Sequence, residues 1–264
     1  MTGAGGVLAV VLLEWTAGFI GAAAWTQSWS VVTRGHFRII AWCALAFAAL
    51  AAAANHGAVQ DGARGSEFQQ TLVLGVVAAA IIYMLVQYSR TDLPGAAAGA
   101  AAGLLGAVAL VVTAGLLSGW PQTLAAVQIV AGAVFLGGVT NGMLLGHWYL
   151  NQPGLKPWAL DRLTTLSLVA TLATGVLGIL AAPRLAAAET SGAVLGIPGF
   201  GESFGLAFFL IWLALVAFTG VIVFMARRCI RIRSIQSATG LLYVALLSAG
   251  VAEFLVRYLM VNAT

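Results

Sequence analysis

Long apolar segments separated by short polar breaks dominate the pattern of this chain. There are eight such segments, each close to the ~20 residues that a helix needs to cross a bilayer. They cover residues 5–29, 37–59, 68–89, 95–118, 123–150, 158–182, 204–226 and 237–260. Because the runs are long and rich in Ala, Leu and Gly rather than alternating, they indicate helices and not the strands of a membrane barrel. The pattern predicts an all-α polytopic membrane protein, with eight transmembrane helices forming a single domain over residues 1–264.

The composition excludes a soluble protein. The chain is 61% hydrophobic and only 8% charged, whereas a soluble domain carries roughly 25% charged residues. Its 32 glycines suit close contact between membrane helices, where small residues let backbones approach. The basic pI of about 9.5 does not indicate a nucleic-acid partner, because the excess of basic residues lies in the polar breaks between spans.

The basic residues alternate between the polar breaks. The first, third, fifth and seventh breaks hold Arg34, Arg38, Arg90, Lys156, Arg227, Arg228, Arg231 and Arg233, whereas the even breaks hold only Arg64 and Arg184. The sixth break is a long loop at about 183–203. Under the positive-inside rule the odd breaks are cytoplasmic, so both termini are expected outside. We therefore predict a multi-pass protein of a bacterial cytoplasmic (inner) membrane.

Three ionisable residues fall well inside the predicted spans. Glu253 and Arg257, in AGVAEFLVRY, lie four residues apart in the last span, a spacing that places them on one helix face within ion-pair reach. The pair could neutralise itself and anchor the helix near its end, with Arg257 extending outward to the interface. Alternatively it lines a polar pocket, as intramembrane charges usually do. Glu14 lies nearer the middle of the first span and is expected to be paired or protonated there.

Other polar residues sort into an outer and an inner layer. Asn55 and His56 end the second span on the outer side. They could form one outer-leaflet cluster with Glu253 and Arg257 and with Trp120, Gln122 and Gln128, which lie where the fourth span ends and the fifth begins. At the inner end of the fifth span, GHWYLNQPG contains a second candidate cluster, His147, Trp148 and Tyr149. These three side chains could flank a bound ring, or they could form an interfacial aromatic belt that closes the helix before Pro153.

The histidine positions do not suit a membrane haem. Such a haem needs two histidines at similar depth on different helices, but His56 is predicted at the outer side and His147 at the inner side. His36 shares the inner side with His147 but lies beside two arginines. Exposed segments carry no metal-binding or phosphate-binding motif, so we expect neither haem nor metal in this chain.

Several short motifs along the chain match one family of membrane subunits in order. Glu14, Trp15, Ala17, Gly18 and Phe19 form an EW pair followed by AGF in the first span, and His56 with Gly57 closes the second. GGVTNGMLLG fills the fifth span, and Ala249, Gly250, Glu253 and Arg257 form AG..E...R in the last. In these features the chain resembles the membrane-anchor subunit of dimethyl sulfoxide reductase-type molybdopterin oxidoreductases. The run GHWYLNQPG departs from that family's pattern.

The resemblance implies eight spans with both ends outside and a quinol site near the outer face. It implies that electrons pass to an iron–sulfur subunit and then to a molybdenum catalytic subunit. By position, His56 would contact the quinol and Glu253 with Arg257 would belong to the same site. With Glu14 and Asn55 added from the polar pattern, the candidate quinone-binding residues are Glu14, Asn55, His56, Glu253 and Arg257.

Three hypotheses follow. The first is a quinone-interacting anchor subunit, not catalytic alone, that binds menaquinone or ubiquinone and assembles with iron–sulfur and catalytic oxidoreductase subunits in the bilayer. The second is a proton-coupled small-solute transporter with Glu14 as the coupling carboxylate. A transporter would favour broken helices and a repeat of two halves, and neither is evident in the sequence. The third is a structural or assembly subunit whose polar residues lock helices together.

Overall fold

A computed structural model of the chain describes residues 3–59, 65–152, 154–187 and 204–262. These residues form eight long helices and one short one, α7, and no strand is found among them. The helices are α1 Gly3–Gln27, α2 Arg34–Ala58, α3 Ser66–Val86, α4 Asp92–Ala114, α5 Gln122–Asn151, α6 Trp158–Leu180, α7 Ala182–Leu185, α8 Phe204–Arg231 and α9 Ile235–Asn262. All eight long helices are long and apolar enough to cross a membrane.

The prediction of an all-helical bundle with eight spans is confirmed, and most helix ends lie within about four residues of their predicted positions. The exception is α8, which the sequence ended at 226 and which continues to Arg231. Arginine is a good helix former, so the basic residues that end the apolar run do not end the helix, and Arg227 Nε donates to Asp161 Oδ1 at 3.1 Å. Arg64, Pro153 and the part of the predicted long loop at 188–203 lie outside the described residues.

The helices pack as two sets of four, an arrangement that the sequence did not reveal. In the first set α1 contacts α2 and α4, and α3 contacts the same two helices. In the second set α5 contacts α6 and α9, and α8 contacts the same two helices. Contacts of α1 with α5, of α1 with α9 and of α4 with α5 join the sets. If α1, α2, α3 and α4 are exchanged with α5, α6, α8 and α9, respectively, these contacts map onto each other. The packing therefore has an approximate two-fold repeat.

Helices α1 and α5 lie at the centre, and small residues bring their backbones together. They are more buried than the other long helices described. A Cβ atom added at Gly18 would collide with the backbone of Ala133, and one added at Gly137 would collide with the backbone of Gly18. Asn141 Nδ2 donates to Phe19 O and Gly137 O, both at 2.9 Å. Asn141 therefore joins α1 to α5, as interhelical amides do in membrane bundles.

The first and last described helices begin and end on the same side of the bundle. The backbone N–H of Gly3 donates to Asn262 Oδ1 at 3.0 Å, which places the start of α1 beside the end of α9. The basic residues predict that this side is the outer one, and we refer to it below as the outer side.

Candidate functional site

Glu14, Glu253 and Arg257 form a cluster, called here the triad, between α1, α5 and α9. In a helix each Cα–Cβ bond tilts towards the N-terminus. Because α1 starts and α9 ends on the outer side, the Glu14 side chain leans outward and the Arg257 side chain leans inward. Glu14 lies eleven residues after Gly3 and Arg257 five residues before Asn262, or about 16 and 8 Å along their helices. The two side chains therefore meet between these depths.

Arg257 binds both carboxylates directly. Its Nε lies 2.6 Å from Glu14 Oε1, and its Nη2 lies 2.7 Å from Glu253 Oε2. Nη2 also donates to the backbone oxygen of Gln128 at 3.0 Å, and Nη1 lies 2.8 Å from Met260 Sδ. All three charged side chains are 0% exposed. Since charge-assisted hydrogen bonds are the strong ones and burial removes screening by water, the triad fixes α1, α5 and α9 relative to one another.

The spacing argument for Glu253 and Arg257 is confirmed, but the alternative with Arg257 extending to the interface is wrong. The arginine is fully buried and points towards the middle of the bundle. The physical reason is Glu14, which offers a second carboxylate deeper in the membrane and 243 residues away in sequence. A carboxylate at hydrogen-bond distance stabilises the buried arginine, and it replaces the water that the side chain would otherwise reach at the interface.

The triad contains two carboxyl groups for one guanidinium. With all three ionised its charge is −1, and with one proton bound it is neutral. Within the described ranges, Glu14 Oε2 and Glu253 Oε1 make no hydrogen bond, and the same holds for both atoms of the Gln128 side-chain amide. Buried polar atoms are normally partnered. Among the described residues these atoms therefore remain able to form further hydrogen bonds, and one proton bound or released would change the net charge of the triad.

Gly132 on α5 provides the space that the guanidinium and Glu253 occupy. A Cβ atom added there would lie 2.9 Å from Glu253 Cδ and would also collide with Arg257 Nη2. Gly132 lies one turn after Gln128, so both face the triad from the same side of α5. The sequence placed Gln128 near Glu253 and Arg257 but did not predict that its backbone oxygen makes the contact. It missed Gly132, since a glycine by itself does not signal an ion-pair site.

Asn55 and His56 do not join the triad in the structure. Asn55 exchanges two hydrogen bonds of 2.9 Å with Gln69, and Gln69 Nε2 lies 3.0 Å from Thr113 Oγ1. This network ties α2 to α3 and α4. His56 is exposed and lines a small depression with Gln70, between α2 and α3. The prediction that Asn55 and His56 join Glu253 and Arg257 in one outer cluster is therefore wrong. The residues lie at similar depth in the membrane, but α2 and α9 are not neighbours in the bundle.

His147, Trp148 and Tyr149 point to three different neighbours. His147 Nδ1 lies 3.3 Å from the Tyr243 hydroxyl, and Tyr149 donates to Lys156 O at 2.6 Å. Trp148 Nε1 donates to Gln152 Oε1 at 2.7 Å, and its ring centre lies 5.6 Å from that of His36. Consecutive helical residues are separated by about 100°, so these side chains do not converge on one ring. The interface-belt alternative matches this arrangement.

No group of three or more His, Cys, Asp or Glu side chains among the described residues is placed to hold a metal ion. The triad is the candidate site considered below, and the groups it offers are two carboxyl groups and one guanidinium.

Comparison with known proteins adds no further assignment. No protein-family model, no curated protein and no solved structure matches this chain. The likeness to oxidoreductase anchor subunits stays a prediction that rests on the motifs quoted above.

Proposed function

We propose that this protein is the quinone-interacting membrane anchor subunit of a multi-subunit oxidoreductase, and that the triad exchanges protons with the quinol. The observation that carries the proposal is one buried guanidinium shared by two carboxyl groups, each of which retains an unbonded oxygen. Oxidation of a quinol to a quinone releases two electrons and two protons. A site that is neutral with one proton and negative without it can take up one of these protons at a time inside a low-dielectric bundle, so the first must pass on to the outer side before the triad accepts the second.

The hydrogen-bonding groups around the triad suit a quinone headgroup as substrate. A quinone presents two carbonyl oxygens and a quinol two hydroxyl groups, so the site must offer both donors and acceptors. The unpartnered Gln128 amide supplies one of each, and Glu14 Oε2 and Glu253 Oε1 supply acceptors. Arg257 orients both carboxylates. The electrons must leave through redox centres of partner subunits, for which iron–sulfur proteins are the chemical class we propose.

The segments that carry the family resemblance also support this assignment. The EW…AGF motif contains Glu14, and the AG..E...R motif contains Glu253 and Arg257. These motifs lie at opposite ends of the chain, yet their three ionisable residues make one cluster. His56, which the resemblance placed at the quinol, is not part of that cluster, and we leave it out of the proposed site.

Proton-coupled transport is the second candidate, because a triad with one exchangeable proton would also serve a coupled carrier. The two-fold repeat of helix packing is a feature of many transporters. However, transporter sites are typically built from discontinuous helices, and the triad lies on three helices that are continuous over their described lengths. The anchor function is therefore preferred.

Purification of the native complex separates the two functions. We expect iron–sulfur subunits and an extractable quinone to co-purify with the chain. We expect Glu14→Gln to lower quinol turnover of the assembled complex on the order of 10²-fold, the lower range for loss of a general acid–base group. Glu67→Gln is the matched control, since Glu67 is exposed at the outer start of α3 and should leave turnover unchanged. A chain that purifies alone and supports Glu14-dependent solute uptake in proteoliposomes would favour the transporter.

A further inference from the structure

A groove of about 350 Å³ runs along α1 between α4 and α5, away from the triad. Its floor is built from small residues, including Gly18 and Gly21 on α1 and Gly103 on α4. Its rim includes Leu104 and Val134, which are 69% and 38% exposed on the lateral surface of the bundle. The groove therefore opens sideways, towards the hydrocarbon of the bilayer.

The groove has the length of one leaflet. Its lining on α1 extends from Ala17 to Trp25, and its lining on α4 from Ala100 to Leu110, which correspond to about 12 and 15 Å of helix. Half of a typical hydrocarbon core is also about 15 Å. Trp25 marks the end near the inner side of the bundle, where α1 finishes at Gln27. A single extended hydrocarbon chain from the inner leaflet matches this span.

A cationic and aromatic platform lies at the inner end of the groove. The rings of Trp25 and Trp29 are 4.6 Å apart, and those of Trp29 and Trp158 are 5.3 Å apart. The Arg162 guanidinium lies 4.6 Å from the Trp158 ring centre and 5.9 Å from that of Trp29. Arg162 precedes the groove-lining Leu166 by one turn of α6, so the platform is continuous with the groove.

Arg162 is one of several basic residues of this side that form no ion pair among the described residues, and it is the one that lies beside the groove. Asp161 is bound by Arg227 and Arg231, and Asp92 is bound by Arg34. In the part of the chain that the structure describes, no carboxylate lies within ion-pair distance of Arg162. The Arg162 side chain is exposed and lies over indole rings, so its guanidinium is accessible to an external anion.

We propose that this groove binds one anionic phospholipid of the inner leaflet, with an acyl chain along α1 and α4 and the phosphate at Arg162. Basic sites between membrane helices on the cytoplasmic side bind anionic headgroups through the same chemistry. Guanidinium groups hydrogen-bond phosphate oxygens in a bidentate manner, and tryptophans favour the headgroup level of the membrane. This site is distinct from the triad and does not depend on the function proposed for it.

Native mass spectrometry of the full chain in detergent tests the proposal with phosphatidylglycerol and phosphatidylcholine as probes. The wild type should retain one phosphatidylglycerol in preference to phosphatidylcholine. Arg162→Gln should lower that preference about fivefold, as expected for about 1 kcal/mol per basic residue at a membrane surface. Arg162→Lys should keep most of it. Arg228→Gln is the matched control, because Arg228 is exposed on the same side and contacts only Phe224 among the described rings.

A second variant tests the acyl-chain half of the site. A Cβ atom added at Gly21 meets no described atom within 4 Å, so a side chain can begin there without a clash, and Gly21→Leu extends it into the groove. It should lower retention of both lipids by a similar factor. Equal phosphatidylglycerol retention in wild type, Arg162→Gln and Gly21→Leu would overturn the proposal. Retention of any lipid or quinone that is equal in wild type and Arg162→Gln would overturn it as well.

Discussion

Replacing the members of the triad one at a time and then together should reveal how they depend on each other. Arg257→Met leaves two buried carboxylates without their cation, since Arg257 lies 2.6 Å from Glu14 and 2.7 Å from Glu253. Breaking a buried ion pair from one side costs about 3–5 kcal/mol, and we expect the upper end of that range here. Glu253→Leu should cost less, about 1.5–3 kcal/mol for a lost charged hydrogen bond, because Glu14 still neutralises the arginine.

Combined variants provide the sharper test of this dependence. The double variant Glu253→Leu with Arg257→Met leaves Glu14 buried without a partner, so it should stay destabilised. Adding Glu14→Leu removes the last charge, and stability should return to within about 1 kcal/mol of wild type, as in other hydrophobic replacements of buried ion clusters. Reversible unfolding in mixed micelles, followed by tryptophan fluorescence, measures each free energy.

Arg227→Met is the matched control for the series. The Arg227–Asp161 pair has a similar distance, 3.1 Å, but its side chains are 25% and 30% exposed. Removal of such a pair should cost about 0.2–1 kcal/mol. The reasoning is refuted if Arg257→Met is no more harmful than Arg227→Met, or if the double variant is as stable as wild type. The second result would mean that Glu253 and Arg257 form a self-contained pair and that Glu14 contributes nothing.

Three further predictions concern the fold. Ser234→Cys should react with impermeant thiol reagents only when the inner side is accessible, and labelling from outside intact cells would reverse the topology. Gly132→Ala should cost about 1–3 kcal/mol in the same unfolding assay by displacing Arg257, whereas Gly240→Ala, whose methyl meets no described atom within 4 Å, should not destabilise. Asn141→Leu should cost about 1 kcal/mol, the scale of interhelical hydrogen bonds in membranes, and an unchanged unfolding free energy would show that its two bonds to backbone carbonyls are dispensable.

The helices were predictable from the sequence because the bilayer sets their length and leaves the backbone no alternative conformation. The contact of Glu253 with Arg257 was predictable for an equally local reason, since four residues complete about one turn. The divergence of His147, Trp148 and Tyr149 follows from the same rule. Adjacent positions on one helix face different neighbours, and this argues against a shared ring site.

The long-range parts of the site were not predictable, because they depend on which helices are neighbours. Depth can be read from a single span, and it placed His56 and Arg257 in one layer. Neighbour relations depend on packing between small residues, such as Gly18 against Ala133. Those contacts bring α1 beside α5 and α9 and thereby bring Glu14 to Arg257. The two-fold repeat was not predictable for the same reason, since it relates contacts between helices and no repeat of residues is evident in the sequence.

Quinol turnover by the complex that contains the charge-free triple variant, Glu14→Leu with Glu253→Leu and Arg257→Met, tests the central claim most directly. This variant should fold and assemble, because it buries no unpaired charge, so lost turnover cannot be attributed to lost structure. If the triad exchanges protons with quinol, the assembled variant should lose turnover on the order of 10²-fold or more. Wild-type turnover in the assembled triple variant would contradict the claim. The role of the triad would then be purely structural, to hold α1 and α9 together.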